Sequence, residues 1–134
     1  MRRVVPITAL LYAIVAAAPA ASSVQPSGFA FGRIGGNIRP YTVTIANSGE
    51  VRTSGAVTVG RKRVTSAQLV ALNRVATETT FVMLPRSTNC AGTLPDIAAT
   101  YVRVGARTVR VHGNCVPRYT RMWKALVAAV RVSQ

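Results

Sequence analysis

From Tyr41 to Ile45 apolar and polar residues alternate, with Tyr41, Val43 and Ile45 on one side and Thr42 and Thr44 on the other. A period of two is the mark of a half-buried strand, and Pro40 stands at its start, where a strand tolerates it. Upstream, Phe29 and Phe31 share one face of a first strand that Gly35-Gly36-Asn37 ends. Downstream, Asn47-Ser48-Gly49 reads as a three-residue hairpin loop with glycine in the left-handed position. The extended pattern then resumes at Glu50–Thr53, and Ala56–Val59 is a further strand or a continuation across a bulge at Gly55.

At Val64 the period changes. Thr65 and Gln68 form a capping box, with Val64 and Leu69 at the staple positions. Leu69, Leu72, Val75 and Ala76 continue at helical spacing, which predicts a helix over 66–78 with one buried stripe. Thr79 and Thr80 favour an exit into extended chain through Phe81–Leu84, and Pro85 ends that segment. Residues 86–96 read as a loop rich in Ser, Thr, Asn, Gly and Pro.

A hairpin follows. With Gly105-Ala106 as its two central residues, Val104 opposes Arg107, Val102 opposes Val109 and Thr100 opposes Val111. Val102, Val104, Val109 and Val111 then share one face, with Tyr101, Arg103, Thr108, Arg110 and His112 on the other. A slip of one residue would mix the two faces, and glycine in the first central position suits a type II′ turn. Pro117 opens a closing helix whose stripe is Tyr119, Met122, Trp123, Leu126 and Val130. The pattern predicts one α+β domain over 28–131: an antiparallel sheet of four to six strands with two helices on one face, in the order β-β-(β)-α-(β)-β-β-α.

The first residues belong to a different class of signal. Arg2-Arg3 precedes an apolar run from Val4 to Ala18, and Ala18-Pro19-Ala20 is a small-x-small pattern. Together these predict a secretory signal peptide over residues 1–20, cleaved after Ala20 with Ser22 as the alternative, followed by a flexible lead-in over 21–27. The run is too short, and too close to Pro19, for a membrane span, so no span is expected after cleavage. Export predicts a secreted or cell-envelope protein and one disulfide, Cys90–Cys115, between the two cysteines of the chain.

The chain carries 17 Lys+Arg against three acids, a net charge of +14. Losing Arg2 and Arg3 with the signal leaves 14 − 2 = +12. The bases are mostly scattered along the chain, which favours a compositional origin over a polyanion site. Only Arg61-Lys62-Arg63 forms a block. The candidate binding surface therefore comprises that block together with Tyr101, Arg103, Arg110 and His112.

No catalytic pattern is found. Bridged cysteines supply no thiolate. Three acids, Glu50, Glu78 and Asp96, give no spacing for a carboxylate pair, and His112 with Asp96 would need a nucleophile that no elbow motif marks. No metal site and no cofactor is expected: His112 and Asp96 fall short of a ligand set. The chain reads as a non-enzyme with a macromolecular partner, either an exported protease or an anionic cell-envelope polymer; nucleic acid is disfavoured.

In layout the chain resembles small bacterial domains related to emfourin, an inhibitor of thermolysin-type metalloproteases. The resemblance spans about residues 28–131. It rests on the glycine-broken first strand, the Asn47-Ser48-Gly49 hairpin, Leu69-Val70-Ala71-Leu72 on a helix, Phe81–Pro85, Asp96 ahead of the valine hairpin, and the short last helix. It implies a compact α+β fold and protease inhibition, and it assigns no inhibitory residue.

Overall fold

A computed structural model describes residues 28–133 and residue 18. Apart from residue 18, the expected signal peptide and lead-in lie outside the described residues. The strands are β1 (Phe29–Ile34), β2 (Tyr41–Ile45), β3 (Val51–Gly55), β4 (Thr58–Val59), β5 (Ser87–Asn89), β6 (Ala99–Val104), β7 (Arg107–His112) and β8 (Val132–Ser133). The helices are α1 (Ser66–Glu78) and α2 (Pro117–Val130), with a short 3-10 turn at Phe81–Met83.

Six strands form one sheet in the order β3-β2-β1-β6-β7-β5. The expected hairpin register holds: Val104 opposes Arg107, Val102 opposes Val109 and Thr100 opposes Val111. Gly105 has φ 57° while Ala106 is not in the left-handed region, which is the type II′ pattern. Gly49 takes φ 87° in the β2–β3 loop.

The sheet is mixed rather than antiparallel, because β5 runs parallel to β7. The reason lies in where the chain re-enters the sheet. Leu84, just before β5, accepts a hydrogen bond from Arg107 Nη2 at the start of β7. Cys90, just after β5, donates from its amide to His112 O at 2.8 Å, at the end of β7. Both strands thus start at the same end. The stretch expected as loop over 86–96 therefore contains an edge strand.

Two further departures concern short elements. Phe81–Met83 is a 3-10 turn and not extended chain. The buried Thr79 hydroxyl donates back to Val75 O at 2.7 Å, and Thr80 turns left-handed at φ 47°, so the backbone curls before it extends. Thr58–Val59 leaves the main sheet and pairs with Val132 and Ser133 after α2, making a separate two-stranded sheet.

The predicted capping box is present, with Gln68 N donating to Thr65 Oγ1 at 3.2 Å and Thr65 N to Gln68 Oε1 at 2.9 Å. Both helices lie on the face that carries Phe29, Phe31, Val43, Ile45, Val102, Val109 and Val111, which are buried with Leu72, Tyr119, Met122, Leu126 and Val130. Trp123 meets Phe31 edge to face, with ring centroids 5.4 Å apart and planes at 86°, a favoured aromatic geometry. No helix among the described residues is long and apolar enough to cross a membrane.

Candidate binding surface

The register sorts the other face of the sheet into rows that no described element covers. One row reads Arg52, Thr44, Ala30, Arg103, Thr108; the next reads Ser54, Thr42, Gly32, Tyr101, Arg110. Tyr101, Arg103, Arg110 and His112 do share this face, as expected. Three of the four side chains also serve the fold. The Tyr101 hydroxyl lies 2.5 Å from Thr42 Oγ1. Arg103 Nη1 donates to Gly105 O at 2.7 Å and steadies the hairpin turn. His112 Nε2 donates to Ile97 O at 2.8 Å, so its N–H is aimed at a backbone carbonyl rather than at a hydroxyl or at the Asp96 carboxylate. Arg110 is the member whose guanidinium makes no hydrogen bond or ion pair to another described residue.

The basic block lies beside the β3 edge. Val51 N donates to Lys62 O at 3.0 Å and Arg61 N to Val130 O at 3.1 Å. Arg63 pairs with Glu50 in an antiparallel bridge, and its Nη1 donates to Ser48 O at 3.1 Å. Glu50 in turn forms an ion pair with Arg52 at 3.1 Å. The hydrogen bond from Arg52, with its charge, holds the Glu50 carboxyl below its ordinary value, and Arg63 adds to the effect. The same contact raises Arg52. Two groups far apart in sequence, Arg61–Arg63 and Arg103/Arg110, thus stand at opposite parts of one sheet, with Arg52 between them.

Cys90 and Cys115 form a disulfide with Cα atoms 5.6 Å apart. It anchors, at Cys90, a loop that the sequence marks only as polar, and that loop presents two apolar side chains outward: Leu94 is 62% and Ile97 49% exposed. The loop is fixed from several sides. Thr93 N donates to Cys90 O at 3.3 Å, Ile97 N to Leu94 O at 3.1 Å, and Asn37 N, from the turn after β1, to Asp96 O at 3.0 Å. Ile38, on that same turn, joins Ile97 in lining a cleft with Arg33, Asp96 and Asn114. Leu94 and Ile97 are absent from the surface read from sequence because no period marks an apolar side chain in a loop; their nearness to Cys90 is the one signal available.

Among the described residues no three His, Cys, Asp or Glu side chains gather as a metal would require. No family model, curated protein or solved structure matches this chain.

Proposed function

We propose that the chain is a non-catalytic binding domain of the extracytoplasmic space that inhibits an exported protease of the thermolysin type. The observation that carries this reading is the loop of residues 90–97, anchored at Cys90 by the disulfide to Cys115, with Leu94 and Ile97 exposed on a backbone tied by hydrogen bonds along its length. Contiguous exposed apolar patches mark protein docking sites, and Ile97 shares a cleft with the exposed Ile38. A loop already ordered before contact loses less conformational entropy on binding. Pro95 follows Leu94 and removes one backbone N–H from the tip. The disulfide supports the extracytoplasmic setting, since such bonds persist in oxidising compartments, and the n-, h- and c-regions of residues 1–20 agree with export. The class of protease comes from the resemblance in layout to emfourin-like domains read from the sequence.

Titration of thermolysin-type metalloproteases with the oxidised, purified protein tests the reading. Stoichiometric inhibition is expected, weakened by about a hundredfold or more in the Leu94→Glu, Ile97→Glu double variant, the range of a central docking contact. No inhibition at micromolar protein, or undiminished inhibition by the double variant, would refute it.

A further inference from the structure

The sheet face opposite the helices, which no described element covers, is a second candidate surface. We propose that it binds a linear, hydroxyl-bearing anionic polymer of the cell envelope, whose carboxylates or phosphates lie across the strands from Arg63 and Arg52 to Arg103 and Arg110. Arg63 sits beside β3 through its bridge to Glu50, Arg52 on β3, Arg103 on β6 and Arg110 on β7. Five strand spacings separate the first from the last, a span of about 24 Å. Arg103 and Arg110 are diagonal neighbours across β6 and β7, about 7–8 Å apart at the backbone. The cations that look scattered along the chain are therefore aligned by the fold.

Charge on this face is predominantly positive. Of the three acids, only Glu50 stands in the line, between Arg63 and Arg52; Glu78 pairs with Arg121 on the helices, and Asp96 lies in the loop that follows Cys90. The Glu50–Arg52 pair is exposed, so it is weak and open to exchange with an incoming anion. Between the cations stand the hydroxyls of Thr42, Thr44, Ser54 and Thr108, which suit a hydroxylated polymer.

The same face argues against the other polyanions. Single-stranded nucleic acid is held by aromatic platforms on which bases stack, and Tyr101 is the one aromatic residue in these rows, its hydroxyl bonded to Thr42. Membrane surfaces are held by apolar groups inserted among the headgroups; the two rows offer only Ala30 and the Tyr101 ring, which lies along the sheet with its hydroxyl on Thr42. The choice of an envelope polymer over an intracellular one rests on the export reading; the site itself does not.

The test uses the full oxidised chain with four probes: polygalacturonate as the carboxylate polymer, poly(glycerol phosphate) as the phosphate polymer, neutral dextran and oligo-dT. Binding to one or both of these anionic polymers is expected at low salt, and which of the two is preferred identifies the anion. Affinity should fall steeply with salt through counterion release. The Arg103→Gln, Arg110→Gln pair should weaken binding by about tenfold and flatten the salt slope by about two. The Arg74→Gln, Lys124→Gln pair removes the same charge from exposed positions on α1 and α2 and should leave affinity within about twofold. The charge-retaining Arg103→Lys, Arg110→Lys pair should keep most of the binding and the slope, separating lost contacts from lost folding. Equal loss from the two Gln pairs would mean that net charge alone acts. That result would overturn the site, as would tighter binding to oligo-dT, equal binding to dextran, or no binding at low salt.

Discussion

Tyr101 lies over Gly32, the strand residue directly opposite it, and reaches past it to the Thr42 hydroxyl on the far side, 2.5 Å away. A methyl group at position 32 would sit 3.0 Å from both Cε1 and the hydroxyl oxygen of Tyr101, and 2.0 Å from the Tyr41 carbonyl oxygen. The glycine is there because another backbone and a ring approach it closely. The aromatic residue on the outer face is thereby a structural cross-brace between β6 and β2, and only secondarily a surface for a partner.

Gly32→Ala is therefore expected to destabilise the domain by about 3 kcal/mol, the upper end for overpacking, since a backbone oxygen cannot rotate away. Tyr101→Phe keeps the ring and loses one hydrogen bond, with a cost of about 1 kcal/mol. Chemical denaturation of the two variants checks the order. A Gly32→Ala protein as stable as the parent would show that β1 and β2 are not this close.

Opening the Cys90–Cys115 bridge with a Cys90→Ala, Cys115→Ala pair frees a loop of 26 residues counted inclusively, from a sequence separation of 25. Chain entropy predicts a loss of about 3.5 kcal/mol, a fall in Tm of roughly 10–20 °C for a domain this size. The parallel strand β5 ends beside Cys90, so amide exchange should accelerate first in residues 87–97, at the low-stability end of the fold. A uniform change in protection across the sheet would contradict this.

These local ties also explain what the sequence could and could not disclose. Strand β2, the β6–β7 register and both helices are legible because half-burial imposes a period, and the period names the buried residues one by one: Val43, Leu72, Met122, Leu126. Strand β5 is Ser-Thr-Asn on a sheet edge; it buries little, so no alternation marks it, and its direction is set by Leu84 and Cys90 contacting opposite ends of β7. Strand β8 depends on Arg131 adopting φ 54° after α2, a conformation that no arginine advertises. For the candidate surface, the faces of Tyr101, Arg103, Arg110 and His112 follow from the hairpin register. The place of Arg63 and Arg52 in the same line needed the order β3-β2-β1-β6, which pairs β1 with a strand far along the chain.

The capping box at the start of α1 makes a separable prediction. Thr65→Ala removes the acceptor for the Gln68 amide, and Gln68→Ala removes the side chain that accepts from Thr65 N. Each should cost about 1 kcal/mol, and the pair less than the sum, because each supports the geometry of the other. Urea midpoints of the two singles and the double close the cycle; strict additivity would mean that the two hydrogen bonds act independently.

The last prediction concerns alkaline pH. Tyr119 is 3% exposed, and its hydroxyl donates to Thr100 Oγ1 at 2.8 Å across the helix–sheet interface. Burial pushes its ionisation far above the ordinary tyrosine range; the hydrogen bond to Thr100 opposes this in part, and Tyr101 adds to the rise. A tyrosine in the unfolded chain ionises at about pH 10. Below that pH both states keep the proton, and Tyr119 contributes no pH dependence. Above it the unfolded chain releases a proton that the folded one retains, so stability falls as pH rises. Tyr119→Phe should cost about 1 kcal/mol at neutral pH for the lost hydrogen bond, and it should flatten the decline above about pH 10 by roughly one proton's worth of slope. Denaturation midpoints of the parent and variant between about pH 8 and pH 11, on either side of the ordinary tyrosine range, measure both effects. An unchanged alkaline slope in the variant would mean that Tyr119 ionises in the folded state, and hence that water reaches the contact between α2 and β6.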